Sequence, residues 1–171
     1  KLLIVLQADG TIDKKRNGVN SGFQVLRFGF KKIRKIERLR NILKSLEKEN
    51  VHYTESTSND YTNFYVKVPN KMPIDKNFDW VPIDEVTTKW AIEFLHELQF
   101  WDGYIAKDRE SLYYSSTNKN AFDKVIAICA LSNYKFKTKI YKDNRKETFN
   151  DVYRLTWWRH TNLITTQNMK I

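Results

Sequence analysis

A short apolar stretch that ends in Asp-Gly occurs twice in this chain. Residues 2–10 read LLIVLQADG and residues 95–103 read LHELQFWDG, so Asp9 and Asp102 lie about half of the 171-residue chain apart. A repeat at this spacing predicts a duplicated fold, because each copy builds the same unit of secondary structure. The duplication is the strongest constraint on what the chain can fold into.

Similar elements follow the two repeats in the same order. After the first repeat, apolar periodicity predicts a strand over residues 22–30, a helix over 31–50 and a strand over 61–68. The helix has a single apolar stripe, formed by Ile33, Ile36, Leu39, Leu43 and Leu46. The first half therefore mixes helices with strands that alternate between a buried and an exposed face.

The second half restarts this order. The patterns predict a helix whose apolar stripe covers 90–98 and which runs into Asp102-Gly103. They then predict a hairpin over 104–117 that turns near 108–110, a helix over 118–133 and strands over 134–142 and 151–158. We therefore predict an α+β fold with duplicated αββαββ halves. The two antiparallel sheets of such a fold can form one curved surface.

Three prolines, Pro69, Pro73 and Pro82, interrupt the pattern between the halves. We predict a single domain over residues 1–171. Its first pseudo-repeat covers about 1–68, its linker about 69–86 and its second pseudo-repeat about 87–171.

Composition indicates a folded protein with a polyanionic partner. Lys and Arg number 30 against 20 acidic residues, which gives a net charge of +10 and favours nucleic acid. Aromatic residues make up 14% of the chain, too many for a disordered basic tail. The single cysteine, Cys129, excludes a disulfide framework and is predicted to be a buried small hydrophobe. With no apolar run that could span a bilayer, we expect a soluble intracellular protein.

The two Asp-Gly sequences predict a metal site. If two helices end in Asp-Gly and pack side by side, Asp9 and Asp102 emerge together at helix ends that already have negative charge. A shared divalent cation compensates this charge, and hard carboxylate oxygens select Mg²⁺. We expect the chain to leave each helix through a left-handed turn at Gly10 and at Gly103. The alternative for a single Asp-Gly is an ordinary turn, and the duplication argues against it.

Basic residues alternate along strands in both halves. Lys135, Lys137 and Lys139 share one strand face with Tyr141, and Arg154 is predicted to join them from the neighbouring strand. The predicted counterparts in the first half are Gln24, Arg27, Tyr65 and Lys67, with Lys14, Lys15 and Arg16 in the preceding loop. Such residues can bind phosphates and read base edges. A solubilising surface is the alternative, although such surfaces normally mix charges of both signs.

The repeats resemble the nine-residue motif of LAGLIDADG homing endonucleases. Residues 2–10 match its first Leu and its closing Ala-Asp-Gly, and residues 95–103 match two Leu positions and the closing Asp-Gly. Residues 114–122 resemble the passage from strand to helix in the second half of intein-type members. The resemblance covers nearly the whole chain.

The resemblance implies a monomer with pseudo-twofold symmetry whose two sheets form a saddle on double-stranded DNA. It implies that Asp9 and Asp102 hold the catalytic metal and cut both strands across the minor groove. Family members also have a basic residue near the metal. Lys67 is the candidate in the first half, and Arg154 or Lys139 in the second.

We therefore expect a site-specific double-strand DNA endonuclease that uses Mg²⁺. The alternatives are a binding protein of the same fold that has lost cleavage, such as an RNA maturase or a DNA-binding regulator, and a scaffold domain whose basic face binds a protein or RNA. The chain starts abruptly at Lys1, which favours a segment excised from a host protein or intein.

Overall fold

The computed structural model describes residues 1–13, 22–105, 111–142 and 151–162. The backbone divides into two compact units, Lys1–Lys76 and Asn77–Ile171. This division falls within the predicted linker. The predicted hairpin turn near 108–110 lies outside the described residues. Within the described ranges, no helix has the length and apolar character needed to cross a membrane.

The described residues of the first unit form two α-helices and four strands. In chain order they are α1 (Leu2–Asp9), β1 (Gly10–Ile12), β2 (Phe23–Phe30), α2 (Ile33–Ser45), β3 (His52–Ser58) and β4 (Tyr61–Pro69). A short 3-10 helix, Glu47–Glu49, follows α2. The strands form an antiparallel sheet in the order β1-β2-β4-β3.

The second unit repeats this arrangement. Its elements are α3 (Thr88–Leu98), β5 (Gly103–Ile105), β6 (Ser111–Ser116), α4 (Lys119–Leu131), β7 (Tyr134–Tyr141) and β8 (Val152–Asn162). The strands form an antiparallel sheet in the order β5-β6-β8-β7, which is the order of the first sheet. The predicted α+β fold of duplicated αββαββ halves is confirmed.

The two helices of the first unit are buried in different ways. In α1 the residues Leu2, Ile4, Val5 and Leu6 are all buried, as expected for a short helix that is apolar on every side. In contrast, α2 is amphipathic and buries only Ile36, Leu39, Ile42 and Leu43. The predicted core position Ile33 is 70% exposed, so that assignment was wrong. Ile33 is the first residue of α2 and lies outside the packed stripe.

The fourth helix supplies much of the second core. Its buried residues are Ala121, Phe122, Val125, Ile128 and Cys129. Burial raises the pKa of the Cys129 thiol to about 12, an effect partly opposed by a hydrogen bond with Ser132. The thiol therefore stays protonated at neutral pH, which confirms its predicted role as a small buried hydrophobe.

One strand has no signal in the apolar pattern. The residues of β3 are polar and almost entirely exposed, so they do not alternate between apolar and polar. The strand forms because it pairs with β4, from His52 opposite Lys67 to Ser58 opposite Tyr61. Pairing between backbones requires no particular side chain, which explains why the sequence analysis did not locate β3.

Part of the predicted linker belongs to the core of the second unit. Phe78 is fully buried, and its ring contacts those of Trp80 and Phe94 at centroid distances of 6.1 and 5.3 Å. Trp90 also stacks on Phe94 at 5.3 Å. These aromatic contacts join residues 78–80 to α3, although the segment lacks regular periodicity.

Gly10 and Gly103 are needed because backbone and side chains approach closely, not because of left-handed turns. Gly10 is extended, with φ −93° and ψ 166°, and Gly103 has no positive φ. A Cβ at Gly10 would lie 2.6 Å from Cε1 of Phe28, and a Cβ at Gly103 would lie 2.4 Å from Cα of Gln99. The predicted left-handed exits were therefore wrong. The chain enters β1 directly from α1 at Gly10 and enters β5 from the turn after α3 at Gly103, and neither position has space for a side chain.

We expect Gly103→Ala to lower the free energy of unfolding by about 1–3 kcal/mol, because an inserted methyl group must displace packed backbone. Gly29→Ala is the matched control. Its Cβ would first meet Oδ1 of Asn63 at 3.1 Å, the end of a side chain that can move. Denaturant unfolding followed by tryptophan fluorescence measures both variants, and equal stabilities would contradict the close-approach explanation.

Candidate metal centre and nucleic-acid interface

Asp9 is the last residue of α1 and directly precedes the first strand of its sheet. The negative end of the helix dipole lies at this position, so a carboxylate here favours a cation. Lys35 of α2 supplies one, because its Nζ forms an ion pair with Oδ2 of Asp9. The side chain of Lys35 is 13% exposed and that of Asp9 is 29% exposed. The pair is thus partly shielded from water while the carboxylate remains accessible.

A second lysine contacts the same junction between helix and strand. Nζ of Lys76 donates a hydrogen bond to the carbonyl oxygen of Gly10, at 2.9 Å. The sequence analysis singled out neither lysine. Lys35 belongs to a helix with many basic residues, and Lys76 lies in the aperiodic linker, so no pattern connects either one with Asp9.

Asp102 occupies the corresponding position in the second unit, but α3 does not reach it. The helix ends at Leu98, and the backbone N–H groups of Phe100 and Trp101 donate to residues three positions earlier, both at 3.1 Å. The prediction that this helix runs to Asp102 was therefore wrong. The indole Nε1 of Trp101 donates to the buried carboxylate of Glu97 at 2.9 Å and fixes the turn.

Tyr114 lies opposite Gly103 in the sheet and close to Asp102. Burial raises the pKa of Tyr114 to about 12, a hydrogen bond with Ser116 opposes this shift, and the charge of Asp102 adds to it. The phenol therefore remains protonated at neutral pH. It adds no negative charge beside the aspartate.

The surroundings of the two aspartates fit a metal that takes only part of its ligands from protein. The described residues contain no group of three or more His, Cys, Asp or Glu that could enclose an ion. Mg²⁺ commonly keeps several waters and binds through one or two carboxylates together with substrate phosphates. One exposed or partly exposed aspartate in each unit fits this mode of binding, and the carboxylate of Asp9 already has the Lys35 ammonium as a counter-ion.

The outer face of the first sheet is the side that presents Arg27, Tyr65 and Lys67. Nε of Arg27 donates to Oδ2 of Asp13 at 2.8 Å, and the Asp13 side chain is only 5% exposed. The side chain of Arg27 is 45% exposed, and its guanidinium lies 5.4 Å from the centroid of the Tyr65 ring. A buried acid thus holds Arg27 in place while its guanidinium still reaches solvent.

Lys67 borders a concavity on this outer face. Its Nζ lies 4.8 Å from the centroid of the Phe23 ring. The concavity has a volume of about 560 Å³ and is lined by Phe23, Val25, His52, Tyr53, Thr54, Tyr65 and Lys67. It therefore combines aromatic rings with positive charge, the combination that contacts nucleic acid in many proteins.

The strand register separates Lys67 from Asp9. Lys67 pairs with Val25, whereas Gly10 pairs with Phe28. Three residues at roughly 3.3 Å each and two interstrand spacings of roughly 4.8 Å lie between the two positions. The structure brings Lys35, not Lys67, to the aspartate of the first unit.

Gln24 does not share the outer face, so its grouping with Arg27 was wrong. Successive side chains of a strand alternate between faces, and Gln24 lies opposite Val68 on the face that buries Leu26. Its amide donates to the carbonyl oxygens of Asn70 and Met72, at 3.1 and 3.3 Å. Of the other first-half candidates, Lys14, Lys15 and Arg16 lie outside the described residues.

The outer face of the second sheet is the side that presents Lys135, Lys137, Lys139 and Arg154. The guanidinium of Arg154 lies 4.5 Å from the Tyr141 ring centroid and donates to its hydroxyl at 3.1 Å. Lys139 lies over the same ring at 4.7 Å, and Lys137 over that of Trp158 at 5.6 Å. Among the described strand residues of this face there is no acid.

The fold has relatives among solved structures. The homing endonuclease I-DmoI superposes on 91% of this chain and 85% of its own with a TM-score of 0.62 and 17% sequence identity. I-DmoI has also been solved in complex with DNA and Mn, with a TM-score of 0.63. The N-terminal LAGLIDADG domain of WhiA matches 91% of this chain and 72% of its own at a TM-score of 0.53 and 15% identity. The chain therefore has the LAGLIDADG fold.

Sequence comparison adds a relative with another name. A ribonucleoside-diphosphate reductase subunit beta of Aquifex aeolicus is 42% identical over 175 residues, which cover 99% of this chain. The chain spans only 25% of the length of that relative, so the name describes a much longer protein. No family model matches the chain.

We expect Arg27→Met to lower the free energy of unfolding by about 1–3 kcal/mol, because it removes the hydrogen-bond donors of Arg27 from the buried carboxylate of Asp13. Lys67→Met is the control on the same sheet face, since Lys67 is exposed and rests on an aromatic ring. Chemical denaturation compares the two variants. A larger loss from Lys67→Met would mean that the ion pair with Asp13 does not stabilise the sheet.

Proposed function

We propose that the chain is a metal-dependent, site-specific endonuclease that cuts both strands of double-stranded DNA. The observation that carries this proposal is the duplicated junction at Asp9 and Asp102, each directly before the first strand of a sheet with a basic outer face. Two equivalent carboxylates suit a reaction that must take place once on each DNA strand. The LAGLIDADG fold, seen with DNA and divalent ions in I-DmoI, supports the same function.

In this proposal Asp9 and Asp102 hold divalent metal, with Mg²⁺ as the natural choice for carboxylate and phosphate oxygens. When bound, such an ion polarises the phosphoryl oxygens and activates water for in-line hydrolysis. Before metal binds, the chain itself orients the carboxylates, through the ion pair of Asp9 with Lys35 and the buried turn fixed by Trp101 and Glu97. Lys35 also supplies positive charge beside the site, the role that the sequence analysis assigned to Lys67.

DNA binding is proposed to use the outer face of each sheet. Lys135, Lys137 and Lys139 would bind phosphates, since an ammonium is a point charge without base specificity. Arg27 and Arg154 are better suited to base edges, because ring contacts already orient their guanidinium groups. A monomer with pseudo-twofold symmetry would present one face to each half of the target.

The long relative from Aquifex aeolicus supports a mobile origin. If a segment of about this length forms a quarter of a protein named for another activity, it is best explained as an insertion such as an intein. We propose that the chain is such a segment, encoded within a larger host protein. Reductase activity is not proposed for it, because the match leaves three quarters of the relative uncovered.

We predict that Asp9→Asn or Asp102→Asn each abolishes double-strand cleavage and leaves DNA affinity within about threefold of wild type, because each change removes one metal ligand and no group of the outer faces. A randomised duplex library incubated with Mg²⁺ and sequenced at its new ends supplies the target. Cleavage and binding of that target are then measured separately.

Asp60→Asn is the matched control, since Asp60 lies in the exposed β3–β4 turn with φ 62°, a conformation that Asn tolerates well. It should cleave as wild type does. If either aspartate variant still cut both strands at the wild-type rate, the metal role of that residue would be excluded. Binding without cleavage by the wild type would favour a regulator or maturase of the same fold.

A second prediction concerns the outer face of the second sheet. Changing Lys137 and Lys139 together to Ala should reduce the slope of log affinity against log salt by about 0.9 for each phosphate that the protein no longer neutralises, because fewer counterions are released. The control pair is Lys44 and Lys48, which are exposed on and just after α2. Arg40 is not a suitable control, because it pairs with Glu55.

Fluorescence anisotropy with labelled duplex over a range of salt concentrations measures both slopes. Equal slopes for the two double variants would indicate that total charge, and not the sheet face, governs binding. A larger change in the α2 variant would mean that DNA contacts α2 of the first unit and not the outer face of the second sheet.

A further inference from the structure

The ion pair between Lys35 and Asp9 creates a competition for one oxygen atom. Nζ of Lys35 binds Oδ2 of Asp9, and any metal held by that carboxylate needs its oxygens as ligands. An ammonium and a divalent cation repel each other at such short range. Metal binding at Asp9 therefore requires that Lys35 move away or that it gain another anion.

The residues around Lys35 indicate which anion could replace Asp9 as the partner of its ammonium. Lys31, Lys32 and Arg34 are exposed within four residues of Lys35, and the first turn of α2 contains no acid. Nζ of Lys35 also lies 5.8 Å from the centroid of the Phe30 ring, so the same ammonium has a second, uncharged neighbour beside Asp9. A DNA phosphate attracted to this cluster arrives beside Lys35 and Asp9 together.

We infer that Lys35 is a positioning residue that blocks the metal site at Asp9 until DNA arrives. In the free protein its ammonium serves as the counter-ion of Asp9. When the backbone of duplex DNA approaches, a phosphate accepts the ammonium and leaves Asp9 open to the metal. This inference rests on the proposed function. It explains why the metal would bind together with target DNA and not before it.

The inference has a thermodynamic consequence. If DNA removes Lys35 from Asp9, DNA must raise the affinity for metal, and metal must raise the affinity for DNA by the same factor. A protein without this ammonium should bind metal more tightly than the wild type when DNA is absent. Its metal affinity should then increase less than that of the wild type when DNA is added. Lys35→Met provides such a protein, since Met keeps an unbranched side chain without the charge.

The experiment measures Mn²⁺ binding by electron paramagnetic resonance of the free ion, using the full chain and a pool of short duplexes of random sequence. Wild type, Lys35→Met, Lys44→Met and Asp9→Asn are compared. Lys44 is the matched control, because it lies on the same helix and is exposed. Asp9→Asn identifies which part of the binding belongs to Asp9.

Without DNA, we expect Lys35→Met to bind Mn²⁺ about two- to fivefold more tightly than wild type, the effect of an ion pair of this exposure, and Lys44→Met to match wild type. Adding DNA should raise the affinity of the wild type for Mn²⁺ and reduce the difference in Mn²⁺ affinity between the wild type and Lys35→Met. Equal or weaker binding by Lys35→Met, with a clear loss in Asp9→Asn, would overturn the inference and leave the proposed metal site intact. Absence of Mn²⁺ binding at Asp9 in every protein, with and without DNA, would overturn both.

Discussion

The junction between an apolar helix and the first strand of a sheet is the constraint on which the rest of each unit depends. At Gly10, directly after α1, and at Gly103, after the turn that follows α3, the chain enters a strand with no volume left for a Cβ. The residue before each glycine is thereby held at the rim of the packed core, where Asp9 is exposed and Asp102 is partly exposed. An aspartate at this position has a carboxylate that stays accessible although the backbone beneath it is tightly packed.

The sequence predicted the fold well because its strongest signals are local and periodic. The duplicated Asp-Gly, the apolar stripe of α2 and the alternation along β7 each follow from the geometry of one element. The prediction was wrong where tertiary contacts decide. β3 forms by pairing with β4, α3 ends early because Trp101 and Glu97 hydrogen-bond within a tight turn, and the aperiodic residues near Phe78 pack into an aromatic cluster.

The candidate site divides in the same way. Alternation along a strand identified the lysines of β7, because the period of a strand is independent of its neighbours. It misassigned Gln24 by one position, which in a strand means the opposite face. The periodicity of a strand could not predict that Lys35 pairs with Asp9 or that Lys76 binds the carbonyl oxygen of Gly10. Lys35 belongs to a helix and Lys76 to an aperiodic segment. No periodic pattern in the sequence indicates these tertiary contacts.

The basic face of the second sheet includes an edge of that sheet, since β7 is its last strand. Unpaired edge strands invite the strands of other molecules, and lysines along an edge are a common protection against such aggregation. The charges proposed to contact DNA therefore also oppose aggregation through pairing of β7 with strands of other molecules. A descendant that no longer needed DNA would still be selected to keep these lysines for the sake of solubility. Their persistence would then be a poor guide to whether binding had been retained.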